Sequence, residues 1–75
     1  MFMEFKVWLE SVPRIVIQRN DDASLVVQFP SGARWKYIFP NLFTMQEYLY
    51  SYGRNVGRLV SKIKQDKMVK QEELN

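Results

Sequence analysis

Residues 25–39 carry the sequence LVVQFPSGARWKYIF, which predicts two antiparallel strands joined by a tight turn. Pro30 fixes φ near about −65° and Gly32 permits a positive φ, so together they favour a chain reversal. The first strand, Leu25–Phe29, is rich in branched apolar side chains, and the second, Arg34–Phe39, is rich in aromatic ones. This hairpin is the clearest structural signal in the chain.

The second strand of the hairpin has two chemically different faces, because successive side chains of a strand point to opposite sides. One face consists of Trp35, Tyr37 and Phe39, and the other of Arg34, Lys36 and Ile38. Exposed aromatic rings interleaved with cations bind single-stranded nucleic acid, since bases stack on the rings while cations hold the backbone. The alternative is that the aromatic face is buried against helices, which leaves Arg34 and Lys36 exposed.

Upstream of the hairpin, the β-branched run Arg14–Arg19 predicts a further strand. Residues 20–22, Asn-Asp-Asp, predict the turn that follows it, because these side chains bond the local backbone and tolerate a left-handed conformation. Alternation from Met3 to Val7 predicts another strand, although a short helix at residues 2–9 fits the sequence as well.

Downstream of the hairpin, the spacing of apolar residues predicts two helices. Asn41 or Thr44 can cap the first helix, and Gly53 ends or bends it. The second helix is predicted from about Asn55 to Val69, with Gly57 weakening its first turn. Residues 71–75 are predicted to be a disordered tail.

These elements predict one α+β domain over residues 1–70. Its antiparallel meander sheet of three to four strands is followed by two C-terminal helices that pack on one face. Val26 and Ile38 should lie on the other face. The predicted core consists of Ile15, Ile17, Val27, Phe29, Tyr37, Phe39, Leu42, Met45, Leu49, Val56, Leu59, Val60 and Ile63.

Composition excludes most enzyme mechanisms for this chain. The 75 residues include neither cysteine nor histidine, which removes thiolate chemistry, the commonest metal ligand and the usual general base at neutral pH. We therefore expect no catalytic residues, no metal and no cofactor. No apolar run approaches the roughly 20 residues that span a bilayer, and Glu4 and Lys6 interrupt the one candidate signal region, so we expect a cytoplasmic protein without a membrane partner.

A dense cluster of cations lies near the C-terminus. Six of the eleven lysines and arginines fall between Arg54 and Lys70, with Asp66 as the only acid there. Arg54, Arg58 and Lys62 are spaced by four residues, so on a helix they form a stripe that can follow phosphates. A solvated helix face is the simpler explanation of the same pattern. The predicted nucleic-acid-binding residues are Arg34, Trp35, Lys36, Arg54, Arg58, Lys62, Lys64 and Lys67.

The leading functional hypothesis is thus a small non-enzymatic module that binds RNA or single-stranded DNA through its basic C-terminal helix. Apolar and aromatic side chains are more numerous than so small a core needs, and at least one of Tyr48, Tyr50 and Tyr52 should be exposed. The alternative is a protein-binding regulator, phage-encoded and acting on a host protein, or a homo-oligomeric structural protein. The side chains behind this alternative include Phe2, Trp8, Phe43 and Tyr50.

Residues 24–64 contain a series of short motifs in a set order. They are Leu25-Val-Val-Gln-Phe29, Ser31-Gly32, Trp35-Lys-Tyr37, Pro40, Tyr48, Ser51-Tyr-Gly53 and Ile63-Lys64. In these motifs the chain resembles the KTSC domain, a short module at the C-terminus of some lysyl-tRNA synthetases and in small stand-alone proteins of bacteria and phages. The resemblance implies a compact α+β module with a suggested role in RNA binding, with sites at Trp35 and Tyr37. This chain has Trp35 where the family has the first tyrosine of its Tyr-x-Tyr motif, and it extends further at both ends.

Overall fold

The computed structural model describes residues 14–74 and places four strands and two helices in them. The strands are β1 (Val16–Arg19), β2 (Ser24–Gln28), β3 (Arg34–Ile38) and β4 (Lys70–Leu74), and the helices are α1 (Leu42–Tyr52) and α2 (Val56–Gln65). Residues 1–13 and Asn75 are outside this description. The segment Met3–Val7, for which the sequence allows a strand or a short helix, is among them.

The strands form one antiparallel sheet in the order β1-β2-β3-β4. This arrangement confirms the predicted α+β meander. The prediction that both helices follow the sheet is wrong, because α1 and α2 lie between β3 and β4 in the chain. The last strand returns to pair with β3 and forms an edge of the described sheet.

Residues 71–74 of the predicted disordered tail belong to strand β4. Its sequence, KQEEL, has weak β-propensity and no apolar alternation, which is why the pattern fails to reveal it. The strand forms because β3 presents backbone hydrogen-bond donors and acceptors along its edge, and β4 pairs with them. Tertiary pairing therefore overrides local preference here.

Helix α2 ends four residues before the predicted end at Val69. Asp66 is its C-terminal cap, and the Asp66 carboxylate accepts a hydrogen bond of 2.8 Å from the backbone N–H of Met68. The N–H of Val69 donates to the carbonyl of Asp66 at 3.1 Å, so the chain turns at once toward β4. Val69 is buried at this turn rather than on the helix.

Both predicted hairpin turns are confirmed. In the β1–β2 turn, the side chain of Asp22 accepts a hydrogen bond from the hydroxyl of Ser24, and Ala23 has a φ of 65°. In the β2–β3 turn, Gly32 has a φ of 99° and its N–H donates to the carbonyl of Phe29 at 2.8 Å. A positive φ is easy for glycine and costly for alanine, so the first turn holds the more strained residue.

Side-chain caps fix the starts of both helices close to their predicted positions. Asn41 caps α1 by accepting a 2.8 Å hydrogen bond from the N–H of Thr44, and Gly53 is the C-terminal cap. Asn55 caps α2 by accepting a 3.0 Å hydrogen bond from the N–H of Arg58. The link between the helices is therefore only three residues long, which holds the end of α1 next to the start of α2.

The core lies between the helices and one face of the sheet. Phe29, Leu49 and Val56, which were predicted to be core residues, are half-buried, and Leu42 is a wrong prediction because it begins α1 and is 42% exposed. Leu25 is buried although it is missing from the predicted core, and strand alternation with Val27 accounts for it. The buried apolar residues are Ile15, Ile17, Leu25, Val27, Tyr37, Phe39, Met45, Leu59, Val60, Ile63 and Val69.

The opposite side of the sheet, called here the outer face, carries a different set of residues. Its central row runs across all four strands through Gln18, Val26, Lys36 and Glu72. Val26 is half-buried there, and Ile38 lies on the same face, as predicted. The sheet thus separates an apolar helix-covered face from a mixed polar one.

Candidate functional site

A tyrosine at the end of α1 lies against two cations of α2. The guanidinium carbon of Arg58 and the Nζ of Lys62 are each 5.7 Å from the centroid of the Tyr52 ring. Residues 58 and 62 are one helical turn apart, so α2 presents both cations on the same side. Each contact is a cation–π interaction, worth about 0.5–1 kcal/mol where solvent is present.

The Tyr52 ring is held in place by a row of aromatic residues that begins in the core. The ring centroids of Tyr48 and Tyr52 are 5.7 Å apart, and those of Phe39 and Tyr48 are 5.3 Å apart. Phe39 is buried and Tyr52 half-buried, so the row leads from the core to the surface. Tilted aromatic pairs of this kind stabilise a fixed ring orientation.

A hydrogen bond between the helices reinforces this row. The Tyr48 hydroxyl donates to Oδ2 of Asp66 at 2.5 Å. Burial, together with the Asp66 carboxylate, raises the pKa of Tyr48 to about 12. The hydrogen bond from Tyr48, and then the one from the Met68 N–H, lower the pKa of Asp66. Asp66 therefore stays ionised, ties the end of α2 to α1, and is engaged by these two donors.

Arg54 lies in the link between the helices rather than on α2. It is exposed and lines a shallow groove together with Leu49, Tyr50, Ser51 and Gly53. The predicted stripe of Arg54, Arg58 and Lys62 on one helix is therefore wrong in its first member. The structure instead gives a pair of cations on α2 preceded by one in the link. Tyr52, Arg54, Arg58 and Lys62 are called the helix corner below.

The remaining predicted cations near the C-terminus are dispersed. The Nζ of Lys64 lies 5.6 Å from the Phe29 ring centroid, and its backbone carbonyl accepts a hydrogen bond from Gln71 on β4. Lys67 is exposed in the turn after α2, and Lys70 begins β4. The predicted basic helix from Arg54 to Lys70 is thus a link, a helix, a turn and a strand.

The predicted nucleic-acid-binding residues of β3 do not lie on the same surface as the helix corner. Trp35 lies on the helix-covered face, half-buried and packed against the core. Arg34 and Lys36 point to the outer face, where the Nζ of Lys36 lies 3.6 Å from Oδ2 of Asp22. The sequence left open whether the aromatic face of β3 is exposed or buried against the helices. Tyr37 and Phe39 are buried. The sheet itself therefore lies between Arg34 and Lys36 on one side and α2 on the other.

Tyr52 and Tyr50 of α1 differ in how far the sequence indicates their positions. Tyr52 is absent from the predicted site residues because its contacts to α2 depend on the Gly53–Asn55 link, which helical spacing does not describe. Tyr50 is 89% exposed, which confirms that at least one tyrosine of this group faces solvent. The signal for Tyr50 was present in the sequence, since three tyrosines at alternate positions cannot all face one side of a helix.

Within residues 14–74, no group of three or more acidic, histidine or cysteine side chains is placed to hold a metal ion. Neither α1 nor α2 has the length and apolar character that crossing a bilayer requires.

Comparison of the chain with protein-family models, with curated proteins and with solved structures found no match. The resemblance to the KTSC domain therefore remains a prediction carried by the sequence residues named above.

Proposed function

We propose that this protein is a small non-enzymatic module that binds single-stranded nucleic acid, RNA or DNA, with the helix corner as its contact surface. The observation that carries the proposal is the placement of Arg58 and Lys62 together beside the Tyr52 ring. Cations next to an aromatic ring combine the two interactions that single strands use, phosphate neutralisation and stacking.

The charge around the helix corner supports an anionic ligand. The sequence has no acidic residue between Glu47 and Asp66, and within residues 14–74 the ion pair that forms is Lys36–Asp22, away from α2. Asp66 already accepts hydrogen bonds from Tyr48 and Met68. The cations of the helix corner therefore produce a local positive potential that attracts phosphate groups.

The proposed binding is weak, salt-sensitive and poor in sequence preference. Three cations give few phosphate contacts, and contacts to phosphate carry no base information. Arg34 and Lys36 were expected to assist, but a strand lying on α2 does not reach them without passing around the sheet. We therefore assign them no direct contact.

The direct test is a fluorescence-anisotropy titration with a labelled single-stranded RNA of about 12 nucleotides at about 50 and about 200 mM salt. Replacing Arg54, Arg58 and Lys62 together by Gln should weaken binding and lower the slope of log K against log salt by about two. The matched control replaces Arg14, Arg34 and Lys70 by Gln. These three residues are exposed on other parts of the protein, and the control variant loses the same charge. Equal losses in both triple variants would contradict a localised binding surface.

A protein partner is the second candidate function, and the exposed face of α1 favours it. Phe43 is 70% exposed and Tyr50 is 89% exposed, on a helix whose other side forms part of the core. Exposed aromatic side chains are enriched where proteins bind each other. Light scattering behind size-exclusion chromatography distinguishes self-association from binding to another protein, and a concentration-independent monomer would argue against the homo-oligomer.

A further inference from the structure

The side chain of Tyr50 points away from both the core and α2. An α-helix turns by about 100° per residue, so Tyr50 is separated from Tyr48 and from Tyr52 by about 200° around the axis of α1. Those two tyrosines pack toward the core and α2, whereas Tyr50 is 89% exposed. Tyr50 therefore offers a free aromatic surface that the folded core does not use.

Tyr50 and Arg54 line the same shallow groove at the end of α1. Gly53 lines the groove as well. The groove thus presents an aromatic ring and a guanidinium, which match the two parts of a nucleotide, its flat base and its phosphate.

Arg54 also connects this groove to the rest of the helix corner. It directly precedes Asn55, the cap of α2, and lies four residues before Arg58 in the sequence. Arg54 is thus both a lining residue of the groove and part of the link that leads into α2.

We propose that the groove is a nucleotide subsite, in which one base stacks on the Tyr50 ring while Arg54 binds an adjacent phosphate and the strand continues toward Arg58. This inference rests on the proposed function and makes it specific for unpaired bases. A duplex keeps its bases stacked on each other, so the subsite favours single strands.

A substitution of Glu47 provides a second test of this subsite. Glu47 lies three residues before Tyr50, so the two exposed residues share the outward side of α1. Its carboxylate repels a phosphate near the groove, so the substitution Glu47→Gln should strengthen binding of a single strand by about twofold or more.

The experiment compares four proteins in the same anisotropy titration with a labelled single-stranded RNA and a duplex of equal length. They are the wild type, Tyr50→Phe, Tyr50→Gln and Phe43→Gln. Tyr50→Gln should lower affinity for the single strand by about tenfold or more, and Tyr50→Phe should retain it because the ring remains. The salt slope should not change in either Tyr50 variant, since no phosphate contact is lost.

Phe43 is the matched control because it is an exposed aromatic residue on the same helix, two turns from Tyr50 and outside the groove that Tyr50 and Arg54 line. Equal affinity of Tyr50→Gln and wild type, or an equal loss in Phe43→Gln, would overturn the subsite. Absence of any binding by the wild type at low salt would instead overturn the proposed function. If the Tyr50 variants alter only self-association or capture of a protein, the groove belongs to a protein partner and the inference is wrong.

Discussion

The helix corner and the outer face of the sheet both carry cations, but they differ in how those charges are compensated. On the outer face, Lys36 lies 3.6 Å from Asp22 and directly opposite Glu72 on the neighbouring strand. In the helix corner, Arg58 and Lys62 lie against the Tyr52 ring, in a stretch of sequence without acids. Among residues 14–74, Lys36 is therefore compensated by an acid, whereas Arg58 and Lys62 contact an aromatic ring.

This difference shows that charge density along the sequence is a poor guide to a binding surface by itself. Lys36 and Lys62 are both half-buried. Lys36 has aromatic neighbours in the sequence, and Lys62 contacts an aromatic ring in the fold. Their partners differ, because strand pairing brings an acid to Lys36 whereas the link between the helices brings a ring to Lys62. Four predictions test this contrast, from the largest expected effect to the smallest.

The first prediction tests the two faces of the sheet with adjacent valines of β2. Val27 is fully buried on the helix-covered face, and Val26 is half-buried on the outer face. Val27→Ala should lower the free energy of unfolding by about 2–3 kcal/mol, and Val26→Ala by about 1 kcal/mol or less. Urea denaturation followed by circular dichroism measures both, and equal losses would show that the outer face is as tightly packed as the core.

The second prediction concerns the Tyr48–Asp66 hydrogen bond behind the helix corner. Tyr48→Phe removes it and should lower the free energy of unfolding by about 1 kcal/mol at neutral pH. Because the folded state raises the pKa of Tyr48 to about 12, the unfolded state loses this proton first as the pH rises. The stabilisation is complete below about pH 10 and is lost toward pH 12.

The test is the difference in unfolding free energy between wild type and Tyr48→Phe from neutral to alkaline pH. Subtracting the variant removes the titration of lysines and of the other tyrosines. A difference that stays constant up to pH 12 would contradict the raised pKa of Tyr48. Acid titration gives the complementary result, because the lowered pKa of Asp66 means that its contribution is lost as the pH falls below its ordinary value.

The third prediction concerns the turn that carries Asp22, the partner of Lys36. Ala23 has a φ of 65°, which an L-residue with a Cβ adopts at a cost and glycine adopts freely. Ala23→Gly should therefore raise the free energy of unfolding by up to about 1 kcal/mol, measured by thermal unfolding. The Ala33→Gly variant, in the other hairpin turn but without a positive φ, is the control and should not gain stability.

The smallest effect is expected for the ion pair of the outer face. Lys36→Gln breaks the contact to Asp22, whose pKa is lowered mainly by the Ser24 hydroxyl and then by Lys36. Both side chains are partly exposed, so the loss should stay below about 1 kcal/mol. RNA affinity should remain unchanged, whereas Lys62→Gln should reduce it. A larger loss of binding in Lys36→Gln would reverse the contrast between the two regions.

Sequence reasoning recovers the features whose causes are local. The turns at Asn20–Asp22 and Pro30–Gly32 depend on residues within a few positions, and both were predicted. Asn41 was one of two predicted caps of α1, the other being Thr44, and Gly53 was predicted to end or bend that helix. Strand β4 was missed because its cause lies in the distant edge of β3. For the same reason the pattern located the cations but not Tyr52, whose position depends on how the Gly53–Asn55 link turns the chain.

The most direct test of the account follows the backbone amide signals in nitrogen-edited NMR spectra while unlabelled single-stranded RNA is added to the wild-type protein. We expect signal shifts concentrated at the end of α1, the link and the exposed side of α2, with the signals of the outer face around Lys36 and Glu72 unchanged. Shifts centred on the outer face, or none at low salt, would contradict the assignment of the helix corner as the nucleic-acid-binding surface.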